Sequence, residues 1–442
     1  MITHIRVKNF KSWQDSGGVE LAPLTGFFGT NSSGKSSLLQ MLLSLKQTVG
    51  RNEVLFFGDE KSLVNLGNFQ EVIHGHEVRN ELYLGLNCRL SHTVPYDFVV
   101  TTQGQMLNFS FSTVIREVEG NQVIKDFRYN SLTSRVRVVW EDNNLFVNNQ
   151  NSVPIQVQNC YGLSSSENAD VPEVLTGFIS VFEELFSHVY YLGPTRIHPQ
   201  RHYHWNDKDP TDVGLWGDKV IDALLCAHMR RVKIAKKGEA VTIEDRVSEW
   251  LRELDLAYSF SLEPVGALKD DNYEVRIQKN ATSPAVTLAD IGYGLADVLP
   301  MLVLCYYTPE GSTLILEQPG IHLHPKAQAD LADLLIEVIT ERNLQILIES
   351  HSEHLLNRLQ RRVAEEKIAA DQTALYFCRY IDGASKIDRL EMDEFGNIAN
   401  WPENFFGDEM GDLFAMTEAQ REREKRETGL IEGPTIAPST SK

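Results

Sequence analysis

The sequence predicts an α/β fold, and three observations carry that prediction. An alternating apolar segment runs into the octapeptide Gly29-Thr30-Asn31-Ser32-Ser33-Gly34-Lys35-Ser36, after which leucines and Met41 recur at helical spacing over residues 37–48. Far downstream, the apolar runs 312–317 and 344–349 read as strands that end in polar residues, which is where open α/β sheets bind ligands. Between these two ends lie β-branched and aromatic segments (about 80–160), then stretches of helical periodicity. The fold class is therefore α/β, with a β-rich insertion and a helical lobe set into it.

Each element follows in order. Residues 2–10 read as an alternating strand carrying Ile2, Ile5 and Val7, and 19–28 supply a second strand. The octapeptide fits G-x-x-x-x-G-K-[ST] between strand and helix. Such a loop turns successive backbone N–H groups inward and aims a helix N-terminus at the same spot, so it holds a polyphosphate. Lys35 then reaches the β and γ phosphates, and the Ser36 hydroxyl ligates Mg2+. This first unit, residues 1–75, closes after the polar run Gly67-Asn68-Phe69-Gln70. The β-rich insertion occupies 76–165, with strands expected at 81–90, 109–118 and 135–147. A helical lobe follows over 166–270, with helical periodicity at 172–188, 217–237 and 242–256, interrupted by Tyr190-Tyr191-Leu192-Gly193-Pro194-Thr195-Arg196. Strands return in 271–360. Residues 361–427 form a small C-terminal region, a candidate partner contact, with a hairpin expected at 374–380 and 386–392 and a charged helix at 412–427. The Gly/Pro/Thr/Ser tail 428–442 is expected to be disordered.

Composition narrows the function classes. The 442 residues are 42% hydrophobic and 23% charged, with no apolar window of membrane-spanning length and no signal-peptide succession, so a cytoplasmic protein without a membrane partner is expected. Five cysteines without a C-x-x-C pair speak against a zinc site or a disulfide framework. A formal net charge of −19 opposes gripping the phosphate backbone of DNA, so any nucleic-acid contact is expected to be local or indirect.

Three later motifs complete a site. Thr313-Leu314-Ile315-Leu316-Glu317 is an apolar strand ending in a carboxylate of the kind that orients Mg2+ through water. Asp290-Ile291-Gly292-Tyr293-Gly294-Leu295-Ala296-Asp297 is a glycine turn opening a helix, whose N-terminus suits a γ-phosphate held by another subunit. The strand 344–349 leads into Ser350-His351-Ser352-Glu353-His354, where His351 can polarise the γ-phosphate. His322, His324, His351 and His354 have metal-ligand spacings, against which stands a reading of His322 and His324 as loop residues making subunit contacts. Arg196, His198, Arg201, His202 and His204, with Tyr203 and Trp205, either stack on nucleic acid or form a polar loop packed on the nucleotide domain.

The order Asn9-Phe10-Lys11-Ser12, glycine loop, Gly-Tyr-Gly turn, Glu-Gln-Pro-Gly-Ile-His-Leu-His-Pro and Glu-Ser-His-Ser-Glu resembles the RecF/SMC/OLD branch of ABC ATPases. The resemblance implies an ABC-type P-loop ATPase head assembled from both ends of the chain, with ATP and Mg2+ as cofactors. It implies nucleotide contacts from Lys11, Ser12, Gly29, Asn31, Ser32, Ser33, Gly34, Lys35, Ser36 and Ser37 of one head and from Gly292, Gly294 and Leu295 of another. Mg2+ would sit among Ser36, Gln70 and Glu317, and residues 318 and 351 would be catalytic. Two heads would meet head to tail around ATP, as a homodimer or a higher homo-oligomer. Tyr191-Leu192-Gly193-Pro194-Thr195-Arg196 and Asn400-Trp401-Pro402-Glu403-Asn404-Phe405-Phe406 further resemble the subgroup containing PtuA of the Septu antiphage system, whose partner, PtuB, is an HNH nuclease. OLD nucleases of this branch carry a C-terminal TOPRIM domain; no Glu followed by D-x-D in TOPRIM order follows His354 here, so no TOPRIM domain is expected.

Two departures from the branch matter. The residue after the strand-terminal acid is usually a glutamate that activates water, and here it is Gln318; Gly320 also stands where many relatives have an acid. Glutamine orients water but takes no proton at neutral pH, so general-base help of roughly 10²- to 10⁴-fold is missing. Glu349 and Glu353 remain as weaker substitutes. The expectation is a head that binds ATP and hydrolyses it slowly, regulating a separate nuclease. The alternative is a RecF-like repair ATPase that loads on DNA.

Overall fold

The computed structural model describes residues 1–90, 107–132, 134–141, 144–148, 150–151, 156–164, 171–236, 238–266, 271–402, 405 and 409–427. The tail 428–442 and part of the 400–406 motif lie outside the described residues. The chain divides into two units, 1–400 and 401–442.

The central sheet of the first unit has six strands in the spatial order Val189–Leu192, Thr313–Glu317, Gln345–Glu349, Leu24–Gly29, Thr373–Ile381, Ala384–Arg389. All neighbours are parallel except the last pair, which is the expected C-terminal hairpin. Leu24–Gly29, Thr313–Glu317 and Gln345–Glu349 are buried at every position. Burial on both faces is why these runs read as continuously apolar rather than alternating. Val189–Leu192 corrects one expectation: what looked like an interruption of the helical lobe is the edge strand of this sheet, in parallel register with 313–316.

The second sheet has nine antiparallel strands. From Gln150–Asn151 at one edge it runs through Asn144–Val147, Arg135–Glu141, Asn121–Ser131, Leu107–Val118 and Leu82–Leu90 to Ile2–Phe10 and Trp13–Asp15, with Val19–Glu20 also paired to Ile2–Phe10. The β-rich insertion is thus continuous with the N-terminal strand rather than separate from it. Helix Lys35–Thr48 touches both sheets and buries Leu38, Leu39, Met41, Leu42, Leu43 and Leu45, nearly its whole circumference. One apolar cluster joins Ile5 and Val7, Leu42, Phe111 and Tyr129, and Ile315 and Leu347 across the layers. The loop that opens this helix is therefore anchored in the core.

In the lobe, helices Glu173–Ser187, Val220–Met229 and Ile243–Glu253 form as the periodicity predicts. Helical periodicity expected to 237 stops at Met229, because Lys233–Lys236 alternates and Gly238, at φ +87, turns it onto Glu239–Thr242 as a hairpin. Arg246, 2% exposed, ties the lobe to helix Pro325–Arg342 by donating from Nε to Glu337 Oε1 at 2.9 Å. In the second unit, helix Glu409–Glu427 forms and the Trp401 and Phe405 rings lie 5.1 Å apart. No helix among the described residues is long and apolar enough to cross a membrane.

Candidate nucleotide site

The phosphate loop is shaped by backbone that only particular residues tolerate. Gly29 sits at φ +132, and a Cβ there would lie 2.1 Å from the Cys378 carbonyl oxygen of the neighbouring strand. Gly34, at φ +92, caps the helix, and its Cβ would lie 2.4 Å from Ser385 Oγ and 2.8 Å from Ser12 Oγ. With Ser32 at φ +60, these left-handed residues turn the loop N–H groups toward one concavity at the helix N-terminus. Trp13 Nε1 donates to the Gly34 carbonyl at 3.0 Å and holds the loop from outside. Ser385, on the C-terminal hairpin, donates to Ser12 Oγ at 2.6 Å; nothing in the sequence pattern pointed to it.

A cleft of about 400 Å³ opens over the loop. It is walled by Lys11 and Ser12 from the first strand turn, by Asn31, Ser32, Ser33, Gly34, Lys35, Ser36 and Ser37 from the loop and helix, and by Gln318, Glu349 and His351 from the other half of the chain. The strand order thus brings together residues more than 300 positions apart, as the sequence motifs required. Lys35 is 3% exposed and donates to the Gly29 and Thr30 carbonyls at 3.2 and 2.7 Å, with Glu349 Oε1 3.9 Å away. Burial lowers its pKa and Glu349 raises it back. His351 is lowered by burial and by the Lys35 charge, while hydrogen bonding to the Gly29 backbone opposes.

Gln318 adopts φ +50, rare for a residue with a side chain, and its N–H donates to the Glu349 carbonyl at 2.9 Å. Such conformations concentrate at functional sites, and here the turn presents the Gln318 amide to the cleft.

Five expected ligands outside the phosphate loop do not line the cleft. Glu317 is 6% exposed and does not line the cleft; Tyr191 donates to its Oε1 at 2.9 Å. Burial, then the charge of Glu349, pushes its carboxyl up to about 7 against the pull of Tyr191, Arg196 and Lys11. Gln70 is exposed on the short helix Phe69–Val72, outside the cleft walls. Gly292 and Gly294 open helix Tyr293–Tyr307 and do not line this cleft. Leu295 is 2% exposed, so its side chain belongs to the core. Gly294 is required by close approach: a Cβ there would lie 3.0 Å from the His322 carbonyl. Exposed Tyr293 stands beside His198 and His322, with ring centroids 5.5 and 6.2 Å away, and His322 is bonded to Asp297.

The other histidine and arginine readings resolve toward structure. His324 caps helix Pro325–Arg342, and among the described residues no cluster of three or more His, Cys, Asp or Glu is placed to hold a metal. In the 196–205 loop, Arg201 is paired with Asp290 at 2.6 Å, His202 lies 3.3 Å from Glu274, and Trp205 is buried, which is the polar-loop arrangement.

A glycine loop at the end of a buried parallel strand, a lysine and serine at the start of the helix that follows, and acids at the ends of two neighbouring strands define a mixed α/β P-loop ATPase head. Family comparisons agree on that class. Residues 1–186 match the family "AAA ATPase domain", residues 188–357 match "AAA domain, putative AbiEii toxin, Type IV TA system", and residues 368–416 match "Protein of unknown function (DUF3696)". Two ATPase-family models thus match the chain on either side of residue 187. No curated protein matches the chain. Among solved structures, it is similar to the Smc head bound to the C-winged helix domain of ScpA, at 10% identity and TM-score 0.45, covering 89% of this chain and 98% of that one. The SMC head domain from Thermotoga maritima gives 12% identity and TM-score 0.38, covering 88% and 99%. The Smc head with an extended coiled coil bound to the C-terminal domain of ScpA, derived from Pyrococcus furiosus, gives 11% and 0.42, covering 95% and 99%.

Proposed function

We propose that this chain is the ATP-binding, slowly hydrolysing subunit of a cytoplasmic antiphage defence complex, in which paired heads hold ATP and restrain a separate HNH nuclease. The observation that carries it is Gln318, which lines the cleft at the position where hydrolysing relatives place their base. A site that binds ATP but takes a proton from water poorly is suited to report nucleotide level rather than to consume nucleotide. The donor set fits a divalent cation: Ser36 and Glu349, a buried carboxyl whose Oε2 has no hydrogen-bond partner among the described residues, both line the cleft. When bound, that cation supplies charge neutralisation of the phosphates; Lys35 and the loop N–H groups orient them, and Gln318 and His351 orient water. The exposed Gly292 turn, with Tyr293 and the flanking histidines, is the surface offered to the second head. Mass measurement with and without Mg-ATP tests the pairing, and co-purification with the product of a neighbouring HNH gene tests the partner. A monomer at saturating Mg-ATP refutes the first, and nuclease activity indifferent to this chain refutes the second.

A second reading, a DNA-loading repair ATPase, is favoured by one observation. On the outer face of the nine-stranded sheet, the cross-strand row Arg6, Gly85, Ser112, Arg128, Arg137 places two arginines directly opposite each other, on a protein of net charge −19. Like charges so placed destabilise a sheet unless neutralised, and Asp126 and Asp15 neutralise them here only in part. Nanomolar duplex binding by the purified chain at physiological salt favours this reading; weak binding with a steep salt dependence favours the first.

A further inference from the structure

The two glycines that bracket the phosphate loop are held by the same distant piece of chain. At Gly29 a Cβ would lie 2.1 Å from the Cys378 carbonyl oxygen, and at Gly34 it would lie 2.4 Å from Ser385 Oγ. Cys378 and Ser385 belong to the paired strands Thr373–Ile381 and Ala384–Arg389, with Cys378 in parallel register with Gly29. Both strands lie in the segment 368–416, whose matching family has no assigned function. That segment therefore closes on the loop at both of its ends.

Ser385 makes the more specific contact. Its N–H donates to the Ser12 carbonyl at 2.7 Å, and its hydroxyl donates to Ser12 Oγ at 2.6 Å. Two bonds to one residue fix Ser12 in place and in rotation. Ser385 is 1% exposed, and among the described residues its hydroxyl has this one partner, whereas Ser12 is partly exposed and lines the cleft. A hydroxyl carries one hydrogen and two lone pairs. Were Ser12 the donor, the Ser385 hydrogen would be buried without an acceptor, which costs free energy. With Ser385 as donor, Ser12 accepts from behind and keeps its own hydrogen for the cleft. An anionic phosphate oxygen takes such a hydrogen in a charge-assisted bond.

We propose that Ser385 is a positioning residue of the nucleotide site: acting through Ser12, it aims a hydroxyl donor at the phosphates and makes the 368–416 segment a working part of the ATPase head. The inference rests on the nucleotide reading of the cleft but not on the pairing of heads or on a nuclease partner.

Calorimetric ATP binding to the full chain, with thermal melts of the nucleotide-free protein, tests it in a double-mutant cycle. Ser12→Ala should weaken ATP binding by about tenfold or more, through loss of one charge-assisted donor. Ser385→Ala, which removes the hydroxyl alone, should weaken it by about threefold to tenfold, with a melting temperature moved by no more than about 2 °C. The double variant should bind within about twofold of Ser12→Ala, because Ser385 has nothing to aim once that hydroxyl is gone. A merely structural role would not give that pattern. Losses that multiply in the double variant overturn the proposal, and so does ATP affinity unchanged within about twofold in either single variant. An affinity loss that tracks a lowered melting temperature overturns it as well. Should Ser385→Ala not fold, Ser385→Cys, whose thiol is a weak donor, must show a loss that vanishes in the Ser12→Ala background. Wild-type affinity in that variant, or a loss that persists in that background, overturns the proposal. Wild type that binds no ATP fails the nucleotide reading itself.

Discussion

Gln318→Glu should turn a slow site into a faster one. The side chain keeps its length, and the left-handed turn at 318 that aims it into the cleft is held by its N–H bond to the Glu349 carbonyl, which the substitution leaves intact. A general base in this position contributes about 10²- to 10⁴-fold. Two corrections reduce that figure. The new carboxylate enters a cleft that already holds Glu349, with Glu317 behind it, and the same burial and like charge that push Glu317 up to about 7 raise it in the same direction. If half of it is protonated at pH 7, about a factor of two is lost, and imperfect alignment in an unevolved position removes roughly another order of magnitude. Roughly fivefold to 500-fold acceleration at pH 7 remains, so about tenfold or more is expected. Because the base must be deprotonated, the gain should grow from pH 6 to pH 8.5. Steady-state phosphate release, with single-turnover measurements to isolate chemistry, reads it directly, while ATP affinity should barely change. Wild-type turnover already within roughly 1 to 10³ per second, or no acceleration in the variant, would refute the reasoning. If ATP-bound heads restrain the nuclease, the same variant should release nuclease activity at ATP concentrations that silence wild type.

The remaining predictions concern binding, assembly and pH. Lys35→Ala should abolish tight ATP binding, because the buried ammonium that now bonds the Gly29 and Thr30 carbonyls is the charge available to the β and γ phosphates; affinity unchanged within about threefold in calorimetry contradicts this. Gly294→Asp should bind ATP yet lose ATP-dependent dimerisation in light scattering, since a Cβ at 294 already crowds the His322 carbonyl and a carboxylate would repel the γ-phosphate; equal dimerisation refutes the sandwich. Glu317→Gln should stabilise the nucleotide-free protein at high pH. Its carboxyl titrates near 4.5 when unfolded and at about 7 when folded, so the folded state holds the extra proton between those values and wild-type stability falls as pH rises through that window. The variant's advantage in thermal melts should be near zero below pH 4.5 and reach at most about 3 kcal/mol above pH 8. An advantage that does not grow with pH contradicts it.

The phosphate loop, the signature turn and the strand-end acids were legible because each is a local pattern with one structural meaning: Gly29 and Gly34 mark backbone no other residue accepts, and buried strands read as unbroken apolar runs. Val189–Leu192 was missed as a sheet strand because four residues beside a helical pattern carry too little periodicity to show a period, and its parallel pairing with 313–316 is a non-local fact. Ser385 was invisible for the same reason, since a serine on a C-terminal hairpin signals nothing until the sheet brings it against Gly34. The acids are the instructive case. The sequence shows that two strands end in glutamate, but which of them stands next to the loop depends on the lateral order of strands, and that order is not written along the chain. The sheet places strand 345–349 between the strand ending in Glu317 and the loop strand. The substitution at 318 then looks less isolated. A cleft that already carries a buried acid beside Lys35 would pay in repulsion for another facing the phosphates, so a neutral Gln318 and an anionic Glu349 are two parts of one charge balance.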